Sequence, residues 1–267
     1  MLEGKAYKKR SNIILGWFDG HPEIGKMQKD VFDDIFDTTD EDEDDARKAA
    51  EEAPLIPTPT GFQPDCSILD NVSVLFLNNK ILLELRKTWR YLYSSKTSDR
   101  DFVELSKSIQ YEGPTLMIIR TTNDTIIGAF ASTSWAETEG GWVGNGDSFI
   151  FTLAPKMAVF YATGQNENFM FLDQGTHGLG LGGKVGRFGL GLKPDMETLE
   201  YNEDVDTFDL PALPGGCAFE IDHIEVWGLG PQPRAEAERA KVQVRKPDLQ
   251  LEDGGNVDMD DLMGQIC

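Results

Sequence analysis

Two stretches of this chain have residue types and spacing that could do chemistry. The run Gly178-Leu179-Gly180-Leu181-Gly182-Gly183-Lys184 fits G-x-G-x-x-G, and it fits G-x-x-x-x-G-K without the closing hydroxyl residue. Phosphate binding by such a loop needs backbone N–H groups that converge at a helix N-terminus, and a Ser or Thr for magnesium. Val185 stands where the hydroxyl belongs, and glycine recurs through Gly186, Gly189 and Gly191, which disfavours a following helix. The plainer expectation is a glycine-rich turn where two sheets approach closely. The second stretch, Asp37 to Asp45, holds seven carboxylates in nine positions. Asp40, Asp42, Asp44 and Glu51 match a calcium loop, but Asp45 takes the place of the glycine that makes its sharp turn. A solvated acidic linker is the better expectation.

The remaining reactive types are scattered. His21, His177 and His223 lie far apart and lack zinc spacing. His177 neighbours Asp173 and Thr176, as a general base neighbours its orienting group, but no nucleophile motif accompanies it. Cys66, Cys217 and Cys267 form neither a CxxC pair nor a disulfide framework, which fits a reducing compartment. No basic residue adjoins Cys217 to activate its thiol. The expectation is no catalytic residue, no cofactor and no metal, and so no enzyme. Two amphipathic stretches point to docking instead. Val31, Phe32, Ile35 and Phe36 share one helical face, as do Met259, Leu262, Met263 and Ile266. Each either folds into a partner's groove or packs on its own domain.

Composition narrows the partner class. With 46 acidic and 25 basic residues in 267, the formal charge is −21. That opposes binding to nucleic acid or to anionic lipid. It favours basic surfaces on other proteins. The run Ile13-Ile14-Leu15 is too short for a signal-peptide core, and no stretch approaches the apolar length of a membrane span. A cytoplasmic protein is expected.

The elements that must position these residues divide into three segments. Residues 1–65 carry 16 acids and 8 bases, then a proline-rich connector from Pro54 to Pro59, and are expected to be largely extended with one docking helix. Residues 66–230 hold most of the glycines and aromatics and form the folded domain; residues 231–267 form a tail. Leu82, Leu85, Trp89 and Leu92 fall at helical steps, as do Phe102, Leu105 and Ile109. After Gly113-Pro114, the runs Thr115–Arg120 and Ile126–Ala131 predict a hairpin about Asn123-Asp124, apolar on both faces. Further strands are expected over 148–153, 169–172, 187–192 and 219–227. The stretch 195–209, with seven acids and no base, reads as an acidic loop. Arg234 to Arg245 has helix-forming composition but no apolar stripe, so a partner surface would have to hold it. Helices first and strands after, without helices between strands, give an α+β fold: two antiparallel sheets packed as a sandwich, flanked by helices, with extended N- and C-terminal tails.

The middle segment resembles the TLDc domain family over about 66–230. The likeness is carried by Trp89-Arg90-Tyr91-Leu92-Tyr93-Ser94-Ser95, Gly113–Arg120, Ile127-Gly128-Ala129-Phe130-Ala131-Ser132, Gly144–Phe151, Thr163-Gly164-Gln165-Asn166, the glycines from Gly178, and Glu220 through Trp227. The resemblance implies an antiparallel sandwich, a role in oxidation resistance, and binding to the vacuolar proton-pumping ATPase, with no established catalytic mechanism. The function expected is a non-catalytic protein-binding module that regulates the proton pump or oxidative-stress resistance, placed on an organelle membrane. The alternative is a structural adaptor held by its tails in a cytoskeletal or ciliary assembly.

Overall fold

A computed structural model describes residues 67–98 and 100–246. The chain forms two compact units, one through Trp89 and one from Arg90. In the first, helix α1 (Asn71–Asn78) starts at Asp70, whose carboxylate accepts the N–H of Ser73 at 2.7 Å. This satisfies one of the donors that a helix start leaves open. A 3-10 turn, Leu83–Leu85, follows.

The helix expected from Leu82 to Leu92 is not formed. In its place the 3-10 turn gives way to strand β1 (Trp89–Ser94). The three- and four-residue spacing of leucines is coincidental there. Trp89, Tyr91 and Tyr93 also alternate, and aromatic side chains suit a pleated surface that has a strand beside it. Helix α2 (Phe102–Ile109) does form, capped by Asp101, with Phe102, Leu105 and Ile109 buried as their spacing requires.

Nine strands follow: β2 (Thr115–Thr121), β3 (Ile126–Ala131), β4 (Phe149–Ala154), β5 (Ala158–Tyr161), β6 (Met170–Asp173), β7 (Gly178–Lys184), β8 (Arg187–Leu192), β9 (Thr198–Tyr201) and β10 (Ala218–Leu229). They hydrogen-bond in the order β5-β4-β3-β2-β10-β9-β8-β7-β6, with β1 also on β10. Every pair from β2 onward is antiparallel.

β10 belongs to both halves of this order. Ile221–Gly228 pairs with β2, and Ala218–Glu220 pairs with β9. A bulge between Ile221 and His223 lies one residue past the point where the two stretches meet. Such an extra residue bends a strand and raises its twist, which lets one strand serve two layers. The main core lies between the layers. Met117, Ile119, Ile127 and Ile150 come from the first, Leu179, Leu181, Leu190 and Leu192 from the second, and α2 adds its buried face. The residues of β2 that alternate with these, Leu116 and Ile118, are buried too, as an apolar strand covered on both faces requires.

Two expectations need correction. The glycine-rich run is strand β7, not a turn. Leu179 and Leu181 face the core, and the turn comes afterwards, at Val185-Gly186. The acidic stretch 195–209 is not loop throughout, because β9 runs through it and buries Leu199 and Tyr201.

The segment after Pro233 is seated on the chain's own domain. Helix α3 (Ala235–Lys241) rests on its own domain. Glu238 is buried, and its carboxylate accepts the Ser134 hydroxyl at 2.7 Å and the Lys241 ammonium at 2.7 Å. Burial works to raise the pKa of this carboxyl, but Lys241 and Ser134 outweigh it and hold it low. Arg239 lies over the ring of Tyr111, 4.7 Å from its centre. These contacts are polar, so no apolar periodicity announces them. Glu238→Ala leaves the Ser134 hydroxyl without its acceptor, a loss of about 1–3 kcal/mol. The expected result is amide exchange in α3 faster by roughly tenfold or more, with the exchange of β2 and β10 unchanged.

Candidate functional site

The most concentrated polar chemistry sits at the bulge of β10. His223 and Glu225 are two residues apart in a strand and therefore share a face. Ser94, from the end of β1, completes the set. His223 Nε2 lies 2.7 Å from Ser94 Oγ and 3.6 Å from Glu225 Oε1. All three residues are at most 2% exposed.

The composition suggests a Ser-His-acid triad, but the wiring does not. In a triad the imidazole uses one nitrogen for the nucleophile and the other for the carboxylate. Here both approach the same nitrogen. Ser94 Oγ also accepts the Lys96 N–H at 3.2 Å. Burial first, then the charges of Lys96 and Arg120, push the His223 pKa down to about 4, with Asp222 pulling the other way. The imidazole is neutral near pH 7.

The surrounding groups explain why the set is there. The bulge takes Asp222 out of the ladder. Arg100 donates to the carbonyls of Ile221 and Asp222, and Arg120 donates from Nε and Nη2 to the Asp222 carboxylate at 2.8 and 2.6 Å. The hydrogen bond from Arg120 is the main reason the Asp222 carboxyl lies below its ordinary range. Ser95 closes the joint: its N–H donates to Ile224 O, and its Oγ accepts the Ile224 N–H, both at 3.0 Å. The site fastens β1 to the bent strand and satisfies backbone groups the bend releases.

A second constellation covers the far face of the second layer. Trp142, Phe171 and Phe188 form a buried cluster, with ring centres 5.3–6.0 Å apart. Gly180 floors it. A Cβ there would fall 2.3 Å from the Phe188 ring. The glycines of β7 let aromatic rings lie flat on a strand; they form no phosphate loop at a helix N-terminus. His177 meets the Phe171 ring edge-on. Its expected partner, Asp173, is engaged otherwise: the carboxylate accepts the backbone N–H groups of Gly175, Thr176 and His177 at 2.9–3.1 Å. Burial works to raise the Asp173 pKa, and these three donors more than offset it.

Cys217 is exposed. The docking residues Val31, Phe32, Ile35, Phe36, Met259, Leu262, Met263 and Ile266, the calcium-like acids Asp40, Asp42, Asp44 and Glu51, and His21, Cys66 and Cys267 all lie outside the described residues. Among the described residues, no helix is long and apolar enough to cross a membrane. Sequence reasoning missed the bulge site. The His-x-Glu spacing within an expected strand was the available signal; nothing marked Ser94, 129 residues away.

A two-layer antiparallel sandwich joined by one bent strand, with its polar set turned inward, is an α+β fold. The sequence profile of the TLDc domain matches residues 62–230, and the chain belongs to this family. It is 34% identical to the MTOR-associated protein MEAK7 of Mus musculus over 187 residues, covering 64% of this chain and 41% of that protein. To MEAK7 of Danio rerio it is 32% identical over 209 residues, 74% of this chain and 46% of that protein. To the nuclear receptor coactivator 7 of Homo sapiens it is 29% identical over 170 residues, 63% of this chain and 18% of that protein. The chain spans less than half the length of these relatives.

Proposed function

We propose that this chain is a non-catalytic, protein-binding module of the TLDc type, working inside a larger regulatory assembly. The observation that carries this reading is the state of the Ser94-His223-Glu225 set, which is sealed from solvent and wired through a single ring nitrogen. A nucleophile needs substrate access and a base whose second ring nitrogen is held by the carboxylate. The relatives add support, since MEAK7 is by name an mTOR-associated protein. We put an assembly of that kind first among partners, and the vacuolar proton pump, suggested by the family resemblance, second.

The test is direct. The full chain is treated with a fluorophosphonate probe, and affinity capture is run in parallel. The expected result is no label on Ser94 and a stoichiometric protein partner. Labelling that disappears in Ser94→Ala would replace the module with a hydrolase.

A further inference from the structure

The second layer does not stop at β6. Val143 exchanges both main-chain hydrogen bonds with Met170, at 2.8 and 3.0 Å, so the Gly141–Gly144 stretch extends the sheet past its edge. Trp142, next in line, points its own N–H and C=O the opposite way. Those two groups are taken by Arg245, with Trp142 N–H donating at 2.7 Å and Arg245 N–H returning at 2.8 Å. Arg245 is thus a one-residue outermost strand.

The side chains around this bridge are specific. The Arg245 guanidinium donates to Gly144 O at 2.7 Å, lies 5.5 Å from the centre of the Phe169 ring, and approaches the Glu167 carboxylate at 3.6 Å. Val244, though 48% exposed, lays its Cγ1 against Gly141, where any side chain would meet it. A Cβ on Gly141 would come 2.4 Å from Val244 Cγ1 and 2.9 Å from Arg245 O. A sheet edge that accepts one more strand, a position beside it with no side chain and an arginine seat one residue on are the parts of a strand-addition peptide site. The resident segment lies past residue 230, where the family match ends. It holds the edge by one bridge.

We propose that the edge at Gly141–Gly144 is a docking site for an extended basic peptide with an aliphatic residue followed by arginine, and that Val244-Arg245 occupies it in cis. Charge agrees with this occupant: residues 66–230 carry 22 acids against 12 bases. The proposal rests on the binding-module reading and assigns that module a surface. A tethered occupant competes at an effective concentration on the order of millimolar, so an outside peptide must displace it.

The experiment uses the full chain and a labelled synthetic peptide with the sequence of residues 239–246. The double substitution Val244→Asp/Arg245→Glu opens the site in cis, and Glu238→Ala loosens the helix that leads into the same segment without touching it. Near-ultraviolet circular dichroism checks that each variant is folded. Both opened chains are expected to bind the peptide at least about tenfold more tightly than the unaltered chain, and Gly141→Val in the opened chain abolishes binding. Equal binding by opened and unaltered chains overturns the proposal. So does equal binding of a peptide with glutamate in place of the arginine. A protein partner captured equally well by the unaltered and Gly141→Val chains removes this surface and leaves the module reading standing. No captured partner at all removes the module reading, while the peptide titration still decides the site.

Discussion

Gly128→Ala is expected to lower the stability of the domain by at least about 3 kcal/mol, a fall in melting temperature of roughly 10 °C for a domain of this size. Gly128 lies in β3 between Ile118 of β2 and Phe151 of β4. A Cβ would sit 2.2 Å from the Met117 carbonyl oxygen and 2.5 Å from the Phe151 ring. The first obstacle is backbone in the middle of a sheet, so trimming Phe151 does not relieve it. Gly180→Ala is the contrasting case. Each of its three nearest atoms belongs to the Phe188 ring. There the damage is expected to be coupled to the neighbour: Gly180→Ala with Phe188→Leu should lose less than the two single changes summed, by about 1–3 kcal/mol. Thermal or urea unfolding of the four proteins gives the cycle. Additivity within about 0.5 kcal/mol would mean that the ring does not lie on the glycine.

The second large effect is a dependence of stability on pH that belongs to His223. Its pKa falls from 6.5 to about 4 in the folded protein. As pH drops below 6.5 the unfolded chain takes up a proton that the folded chain refuses. The stabilising contribution is therefore complete above pH 6.5 and is lost as pH falls toward 4, at up to about 1.4 kcal/mol per pH unit and about 3 kcal/mol in all. Asp173, Asp222 and Glu238 are lowered carboxyls, with ordinary values of 3.8, 3.8 and 4.5. Their contributions are present above those values and fade as pH falls through the still lower folded ones, so the two windows barely overlap. Urea unfolding from pH 7 to 4 should show this slope in the unaltered chain and a nearly flat line for His223→Gln. A slope that survives the substitution would assign it to another group.

What the sequence revealed follows from what kind of contact each element makes. α2 and the β2–β3 hairpin were legible because local pattern and tertiary burial agree: Phe102, Leu105 and Ile109 keep helical spacing, and Asn123-Asp124 supply the turn, with Asp124 at φ 61°. β1 was misread because Trp89 belongs to two periods at once, the helical one with Leu82, Leu85 and Leu92 and the alternating one with Tyr91 and Tyr93, and only the partner strand decides between them. β7 was misread because glycine signals a turn locally, whereas its use at Gly180 is to make room for a ring from another strand. α3 gave no apolar stripe because a buried carboxylate, Glu238, anchors it. The bulge site shows the same limit. His223 and Glu225 lay in an expected strand, but Ser94 reaches His223, and Arg100 and Arg120 reach Asp222, only through the fold.

The double membership of β10 sets an order for synthesis. β1 and β2 meet it across a hundred residues or more, as between Ser94 and His223, 129 apart. β9 joins the other layer to its opposite end. Neither layer can be joined to the other until Ala218–Leu229 has left the ribosome. Until then the emerging chain carries β2, rich in apolar side chains, with one open edge and β9 with another. Pairing over such distances is slow, and waiting edges invite association with other chains. A truncation before Ala218 should therefore yield aggregates, with no independently folded half.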